Sequence, residues 1–453
     1  MENRKDSVMR IQIPENANKI IQTLKQHGYE AYVVGGCVRD CILNKQPTDW
    51  DITTSASPME VKELFRRTID TGIQHGTVTI LMEKETYEVT TYRVDGEYED
   101  HRRPKEVLFT KSLEEDLKRR DFTINAMAYN EEEGLQDLFG GIQDLQEGII
   151  RCVGVPEERF DEDALRILRA VRFSAQLDFT IEAKTKEAMK TRAKHLKEIS
   201  AERIQVELTK LLVSKHPEKL IEAKELGITE IILQEFDRMM ETEQKNPHHC
   251  YTVGIHTIHA VKNIEPDPIL RWTMLLHDVA KPMKKTTDKK GVDHFRGHDV
   301  EGEKVAKQIL RRMKLDNHTI QTVAKLVKWH DYHFQAPVTR KKIRYAMNKI
   351  GVELFPMLLK VQLADAMAQS DFKREEKLDN IQAAKQQYEE ILRLGQCVTL
   401  KQLAVNGKDL MEIGIEPGAW MGELLNQLLD IVLENPEQNE KELLLEYVKE
   451  LER

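Results

Sequence analysis

The sequence predicts an α+β fold over roughly its first third, a mixed sheet with helices, followed by an all-α remainder. Two observations carry this expectation. Up to about residue 147, short runs rich in β-branched and aromatic residues, such as AYVV at 31–34 and TYEVTTYRV at 86–94, alternate with helical patterns. Beyond that point helical periodicity dominates almost without interruption. A chain of 453 residues has room for several domains. Pro247, Pro266, Pro268 and the pair Pro417-Gly418 mark turns within the helical part, and no strict internal repeat is evident.

The most informative element is the run PTDWDI, with Asp49 and Asp51 two residues apart. On a strand that spacing puts both carboxylates on one face and turns Trp50 the other way, into apolar packing. Paired carboxylates suit a hard divalent cation, Mg²⁺ above all, which leaves part of its coordination sphere for substrate phosphates. Just upstream, AYVVGGCVRD reads as a strand, a Gly35-Gly36 turn and a helix that carries Arg39 and Asp40. Glycines let backbone amides approach phosphate oxygens, and Arg39 can grip one. The 86–94 strand is expected beside DWDI, which makes Glu88 a third carboxylate able to orient a metal or accept a hydroxyl proton. Asp95 to Pro104 reads as a charged loop, and DLKRRDFTINAMAY as a pair of arginines before a helix-like run. Of these, Arg120 is expected to face the metal site and bind triphosphate oxygens in a forked geometry, and Arg119 to pair with Glu114 and Glu115 on the surface.

In EDALRILRAVRF, Asp163, Arg166, Arg169 and Arg172 recur every three residues, which on a helix is one slowly drifting stripe beside the apolar Leu165, Leu168 and Val171. An acceptor and planar donors on such a stripe can imitate the Watson–Crick edge of a base. The same spacing also suits a solvated face stitched by ion pairs.

Net charge is −9, so any affinity for RNA must come from local clusters of base. Three are present: Lys184, Lys186, Lys190, Arg192, Lys194 and Lys197; Lys281, Lys284, Lys285, Lys289 and Lys290; and Arg340, Lys341, Lys342 and Arg344. Neither a membrane-spanning apolar run nor a signal-peptide pattern is present, and the five cysteines show no zinc-type spacing, which points to a cytoplasmic protein with reduced thiols.

Taken together, GGCVRD, DWDI, RVDGEYEDHRRP, DLKRRDFTINAMAY, DLFGG, EDALRILRAVRF, ERIQVEL and NGKDLMEIGIEPGAWMGELL resemble, in this order, the class II tRNA nucleotidyltransferases. The resemblance implies a nucleotidyltransferase head with an α/β palm over 1–147, a helical neck with a base-selecting element over 148–225, a helical body over 226–390 and a tRNA-binding tail over 391–453. It implies template-independent addition of CCA to tRNA from CTP and ATP. Asp49 and Asp51 would hold Mg²⁺, with Glu88 assisting; Gly36, Arg39 and Arg120 would secure the nucleotide; Asp163 and Arg166 would choose its base, with Arg169 and Arg172 reaching toward it. The 95–104 loop looks complete, which argues against addition of the two C residues alone and leaves the full CCA and A-only activities open, as well as a poly(A) polymerase. The expected partners are the tRNA 3′ end, acceptor stem and elbow, read mainly as an A-form shape, with no membrane. A helical tail can also pack on a second copy, so a homodimer stays open.

One constellation stands apart. His256, His277, Asp278 and Asp365 follow the ligand order of the HD phosphohydrolases, and such a set can hold a divalent metal. His259, His298 and His330 lie in the same region. An inherited HD-like helical fold, whose polar residues are hydrogen-bonded core or surface groups, is the favoured account of the pattern.

Overall fold

The computed structural model describes residues 10–95, 98–99, 103–104 and 107–451, and most of the charged loop expected between Asp95 and Pro104 lies outside them. The chain divides into two compact units, Met1–Gln234 and Glu235–Arg453.

The first unit is built on a seven-stranded mixed sheet. Its strands are β1 (Ala31–Val34), β2 (Ile52–Thr54), β3 (Thr68–Gly72), β4 (Thr77–Met82), β5 (Glu85–Thr91), β6 (Met127–Asn130) and β7 (Gly134–Asp137), in the order β7-β6-β1-β2-β5-β4-β3. All neighbours are antiparallel except β2 and β5. The central strand β1 is buried on both faces, as its unbroken AYVV composition requires. Helix α1 (Glu15–Gln26) buries Ala17, Ile20, Ile21 and Leu24, the one-face spacing of an amphipathic helix. Helix α2 (Gly36–Ile42) leaves directly from the end of β1.

Four local expectations are corrected. Asp49 and Asp51 precede β2 rather than lying within it, although the Asp51 carbonyl still accepts from the Val34 amide at 3.0 Å. The 86–94 strand divides: β5 ends at Thr91, and Arg93–Asp95 pairs separately with Val107–Phe109. The segment after Arg120 is a single 3-10 turn, Thr123–Asn125, that runs into β6 rather than a helix. Arg119 bonds Asp116 at 3.0 and 2.9 Å, not Glu114 or Glu115, because Asp116 is the buried carboxylate of α3 (Leu113–Lys118).

Past the sheet, α4 (Pro156–Glu162), α5 (Leu165–Leu177) and α6 (Ala201–Leu212) complete the part of this unit that matters for the site. Helix α5 buries Leu165, Ile167, Leu168, Ala170 and Val171, and also Arg166 and Arg172. Asp163 ends α4 in extended conformation and caps α5 from outside, its Oδ1 accepting from the Leu165 amide at 3.1 Å. The stripe of four therefore loses its first member to the inter-helix turn.

The second unit is helical among its described residues except for the short pair Thr286–Thr287 and Asp293–His294. Helices α7 (Val253–Asn263), α8 (Pro268–Leu276), α9 (His298–Arg312), α10 (Asn317–Trp329) and α11 (Phe355–Met367) pack around an apolar interior, and α12 (Arg374–Arg393) follows. Two bases counted as surface charge are buried. Lys281 pairs with Asp278 at 2.8 Å, and Arg344 donates to the carbonyls of Leu433 and Glu434 at 2.8 and 3.1 Å. No described helix is long and apolar enough to cross a membrane.

Candidate active site

The antiparallel β1–β2 pairing puts the C-terminal end of β1 beside the N-terminal end of β2, which brings the Gly-Gly turn next to Asp51. The parallel register of Ile52 with Val89 then sets Glu88 one step back along β5, level with Asp51. Asp49, Asp51 and Glu88 are all solvent-exposed. Desolvation by the surrounding protein raises the Asp51 carboxyl above its usual range; Arg120 opposes the shift, and Glu88 and Asp49 add to it. Asp49, Asp51 and Glu88 offer oxygen donors of the kind a hard divalent cation takes, although among the described residues their ligand atoms are not gathered within 4.8 Å of one another.

Two guanidinium groups cover the glycine turn. Gly35 adopts φ +82°, and a side chain there would meet Arg120 Nη1 at 3.1 Å. At Gly36 a side chain would meet Arg39 Nη2 at 3.6 Å. Arg120 is only loosely held, by one 3.5 Å contact to Asp116, and its buried Nε has no hydrogen-bond partner. Arg39 is oriented by Asp40 at 2.9 Å and by the Asn125 side-chain oxygen at 2.7 Å. Two forked donors beside small residues, with Arg120 near enough to Asp51 to oppose the rise in its pKa, can accept a polyphosphate.

Helix α5 reaches this region through Phe173. The guanidinium carbons of Arg172, Arg39 and Arg169 lie 3.7, 5.1 and 5.4 Å from its ring centroid, and Phe122 meets the ring edge-on at 5.9 Å. Arg169 also bonds Asp121 through Nε at 2.8 Å, and Arg172 bonds Glu207 of α6 through Nε at 2.7 Å. Asp121 is buried; burial works to raise its pKa, but Arg169 and Arg166 overcome it and hold the carboxyl down at about 2.

The proposed base-reading pair is not assembled in this conformation. Arg203 grips both oxygens of Asp163, at 2.7 and 3.3 Å. Arg166 is consumed inside, by Glu162 at 2.5 Å and by the carbonyls of Arg159 and Arg119 at 3.1 and 2.8 Å. Arg172 likewise faces Glu207 and Gln176 rather than the cleft. Sequence reasoning missed Asp116, Asp121, Phe173, Arg203 and Glu207 as parts of this network. Arg203 and Glu207 stand in ERIQVEL, where a charge on each side of an apolar face is a readable signal. Nothing in the sequence pairs Phe173 with three arginines.

Residues 31–151 match the model of the poly A polymerase head domain, 178–240 that of a probable RNA- and SrmB-binding site of polymerase A, and 299–448 a putative tRNA nucleotidyltransferase domain 2. The CCA-adding enzyme of Levilactobacillus brevis is 37% identical over 432 residues, spanning 95% of this chain and 96% of that protein. The CCA-adding enzyme of Enterococcus faecalis is 35% identical over 447 residues, 96% and 95% of the two chains. The chain belongs to the CCA-adding enzyme family. The crystal structure of the Bacillus stearothermophilus family member in complex with CTP superposes with a TM-score of 0.70 at 30% identity, covering 96% of this chain and 98% of that one. The Thermotoga maritima member complexed with tRNA shares the fold, with a TM-score of 0.56 at 21% identity over 96% and 95% of the chains.

In the second unit the structure brings His256, His277, Asp278 and Asp365 together. His256 Nε2 lies 2.9 Å from Asp365 Oδ1 and 3.2 Å from His277 Nε2, and His277 Nε2 lies 3.2 Å from Asp278 Oδ2. His298 and His330 converge on the same aspartate, while His259 instead stacks on Tyr251.

Proposed function

We propose that this protein completes the 3′ end of tRNA, adding C, C and A without a nucleic-acid template and taking CTP and ATP as donors. The observation that carries this reading is identity of 35% and 37% to CCA-adding enzymes across nearly the whole chain. A poly(A) polymerase accounts for the head match alone, and a full-length relationship to CCA-adding enzymes disfavours it.

In the reaction, the tRNA 3′ hydroxyl oxygen forms a bond to the α-phosphorus, and the bond to pyrophosphate breaks. Asp49 and Asp51 are the residues that would hold a divalent cation, read here as Mg²⁺, whose charge would make the hydroxyl a better nucleophile and ease departure of pyrophosphate. Glu88, level with Asp51, is placed to orient that pair or to accept the hydroxyl proton. Arg120 and Arg39 bind triphosphate oxygens over the space that Gly35 and Gly36 leave open. Asp163 and Arg166 select the base, which requires Asp163 to share its carboxylate with Arg203 and Arg166 to leave Glu162. Arg169 and Arg172, stacked with Arg39 on Phe173, couple the base-reading helix to the phosphate end of the cleft.

Within the two compact units we read four functional segments: head 1–147, neck 148–225, body 226–390 and tail 391–453. The tail and the exposed lysines of Ala183–Arg192 would meet the tRNA backbone, and the cytoplasm is our reading of where the reaction takes place. The test supplies three tRNAs, ending before the CCA, after the first C and after the second C, with CTP and ATP given separately. Stepwise addition of C, C and A that then stops supports the reading. Addition of A alone, or of a long A tract to other RNAs, overturns it.

A further inference from the structure

Asn125 closes the 3-10 turn that runs into β6, and it is 6% exposed. Its side chain stands between two groups of opposite charge. Oδ1 accepts from Arg39 Nη1 at 2.7 Å, and Nδ2 donates to Asp121 Oδ1 at 3.2 Å. A guanidinium only donates and a carboxylate only accepts, so the two partners fix which end of the amide faces which. A carboxylate in this place would face Asp121 with like charge, and an apolar side chain would serve neither partner. The backbone leaves the amide little slack: the Asn125 carbonyl lies 3.7 Å from the point where a Gly35 side chain would begin.

On one side the amide sets the tilt of a phosphate-binding group. Asp40 takes Arg39 Nε at 2.9 Å and Nη2 at 2.8 Å, and Asn125 takes Nη1. A guanidinium has N–H groups to spare beyond these, and among the described residues those on the two Nη atoms stay available, beside Gly36, for a phosphate oxygen. On the other side Asp121 Oδ2 takes Arg169 in a fork, Nε at 2.8 Å and Nη2 at 2.7 Å, and the Phe122 amide holds Oδ1 at 2.8 Å. Arg169 stands on α5, a turn beyond Arg166. A chain of hydrogen bonds thus runs from Arg39 through one amide and one buried carboxylate to the helix that carries Arg166. Phe173 joins Arg39 and Arg169 as well, at 5.1 and 5.4 Å, but a ring face leaves a guanidinium free to turn in its own plane. The amide removes that freedom.

We propose that Asn125 is a positioning residue that makes the phosphate grip of Arg39 depend on the base read at the start of α5, so that selection of CTP over UTP is expressed in the rate of addition. This role rests on the CCA-adding reading above. Cytosine and adenine offer an amino donor where uracil offers a carbonyl acceptor. The amino group satisfies the Asp163 carboxylate and the carbonyl repels it, so only a matching base settles α5 against the nucleotide. Arg169 then draws Asp121, and Asn125 turns Arg39 to the angle at which its remaining N–H groups meet the triphosphate. A mismatched nucleotide still binds, because a misaimed guanidinium attracts phosphate by charge, but the in-line geometry is lost and the rate falls.

The test is single-turnover addition by the full chain to a tRNA lacking its CCA, with CTP and UTP supplied separately over a range of concentration at about pH 8, where an introduced carboxyl is ionised. In Asn125→Leu the maximal rate with CTP should fall by roughly tenfold, the worth of one hydrogen bond to a charged group, while half-saturating CTP stays within about threefold of the parent. The rate with UTP should stay within about twofold, which also shows that the variant is folded. Asn125→Asp is nearly isosteric; it keeps the acceptor for Arg39 and loses the donor to Asp121. It should show the same CTP-selective loss, and it carries the test where the leucine variant folds poorly. Arg39→Ala loses CTP addition on its own account, and Arg39→Ala with Asn125→Leu should match it within about twofold, because both act through one group.

Equal losses with CTP and UTP mark a merely structural role and overturn the coupling. An Asn125→Asp enzyme with the discrimination of the parent overturns it by removing Asp121 from the chain, and full additivity with Arg39→Ala does so by removing Arg39. A change confined to half-saturating CTP, with the maximal rate untouched, overturns the expression of selection in the rate. A parent that adds no C to this tRNA defeats the CCA-adding reading itself, whereas a parent that adds C beside variants that lose both nucleotides in proportion defeats the coupling alone.

Discussion

Replacing Gly35 by alanine probes the phosphate end of the first-unit cleft with the smallest change available. The residue sits at φ +82° and ψ −126°, a backbone region that side-chain-bearing residues avoid at a cost of about 1–3 kcal/mol. The added methyl would also stand 3.1 Å from Arg120 Nη1, so the guanidinium must give by a few tenths of an ångström. Arg120 has little to hold it back, with one 3.5 Å contact to Asp116. If that guanidinium binds the triphosphate, displacing it forfeits a charge-assisted hydrogen bond of about 1.5–3 kcal/mol, roughly 10- to 100-fold in kcat/KM. The assay is single-nucleotide addition of CTP to a tRNA lacking its CCA, with Arg120→Ala and the double variant in parallel. Because both substitutions act on one group, the double variant should be scarcely worse than Arg120→Ala alone. Full additivity, or a Gly35→Ala enzyme with unchanged kcat/KM for CTP, would refute the placement of Arg120 over the glycine turn.

Other consequences follow from the neck. The Asp121 carboxyl, held at about 2 against an unfolded value of about 3.9, stabilises the native state by about 2 kcal/mol above pH 4 and loses that contribution as pH falls toward 2. Asp121→Asn should therefore weaken hydrogen-exchange protection of Leu165–Leu177 at pH 7 by about that amount, with the difference from the parent shrinking at pH 3. Arg203→Ala removes the fork that orients Asp163 and should reduce discrimination of CTP over UTP by roughly tenfold, the worth of one hydrogen bond, without changing KM for tRNA. Phe173→Leu keeps apolar volume but takes the ring from under Arg39, Arg169 and Arg172; a destabilisation of about 1–2 kcal/mol by urea titration of helix α5 exchange is expected.

Much of the site was legible because it is local. The Gly-Gly turn, Asp49 and Asp51 lie within 17 residues, and strand pairing needs only β1 and β2 to bring them together. The helix stripe was half legible. Three-residue spacing continues smoothly from Asp163 to Arg172 in the sequence, but the helix begins at Leu165 because Asp163 serves as its outside cap. Burial of charge was not legible at all. Lys281 and Arg344 sit in basic runs that read as surface, and the groups that draw them inward include Gln244 and Leu433, 37 and 89 residues away. The imidazoles told a similar story: His256 and His277 were readable from their order, whereas His298 and His330 acquire meaning only once the rings are seen to face each other.

Nucleotide addition by this protein depends on the carboxylates at the N-terminal end of β2. The decisive measurement is single-turnover addition of CTP to tRNA lacking its CCA, comparing the parent with Asp49→Asn and Asp51→Asn at matched tRNA occupancy. Loss of addition by at least a thousandfold with tRNA affinity unchanged is what this arrangement requires; addition at the parent rate in either variant would contradict it.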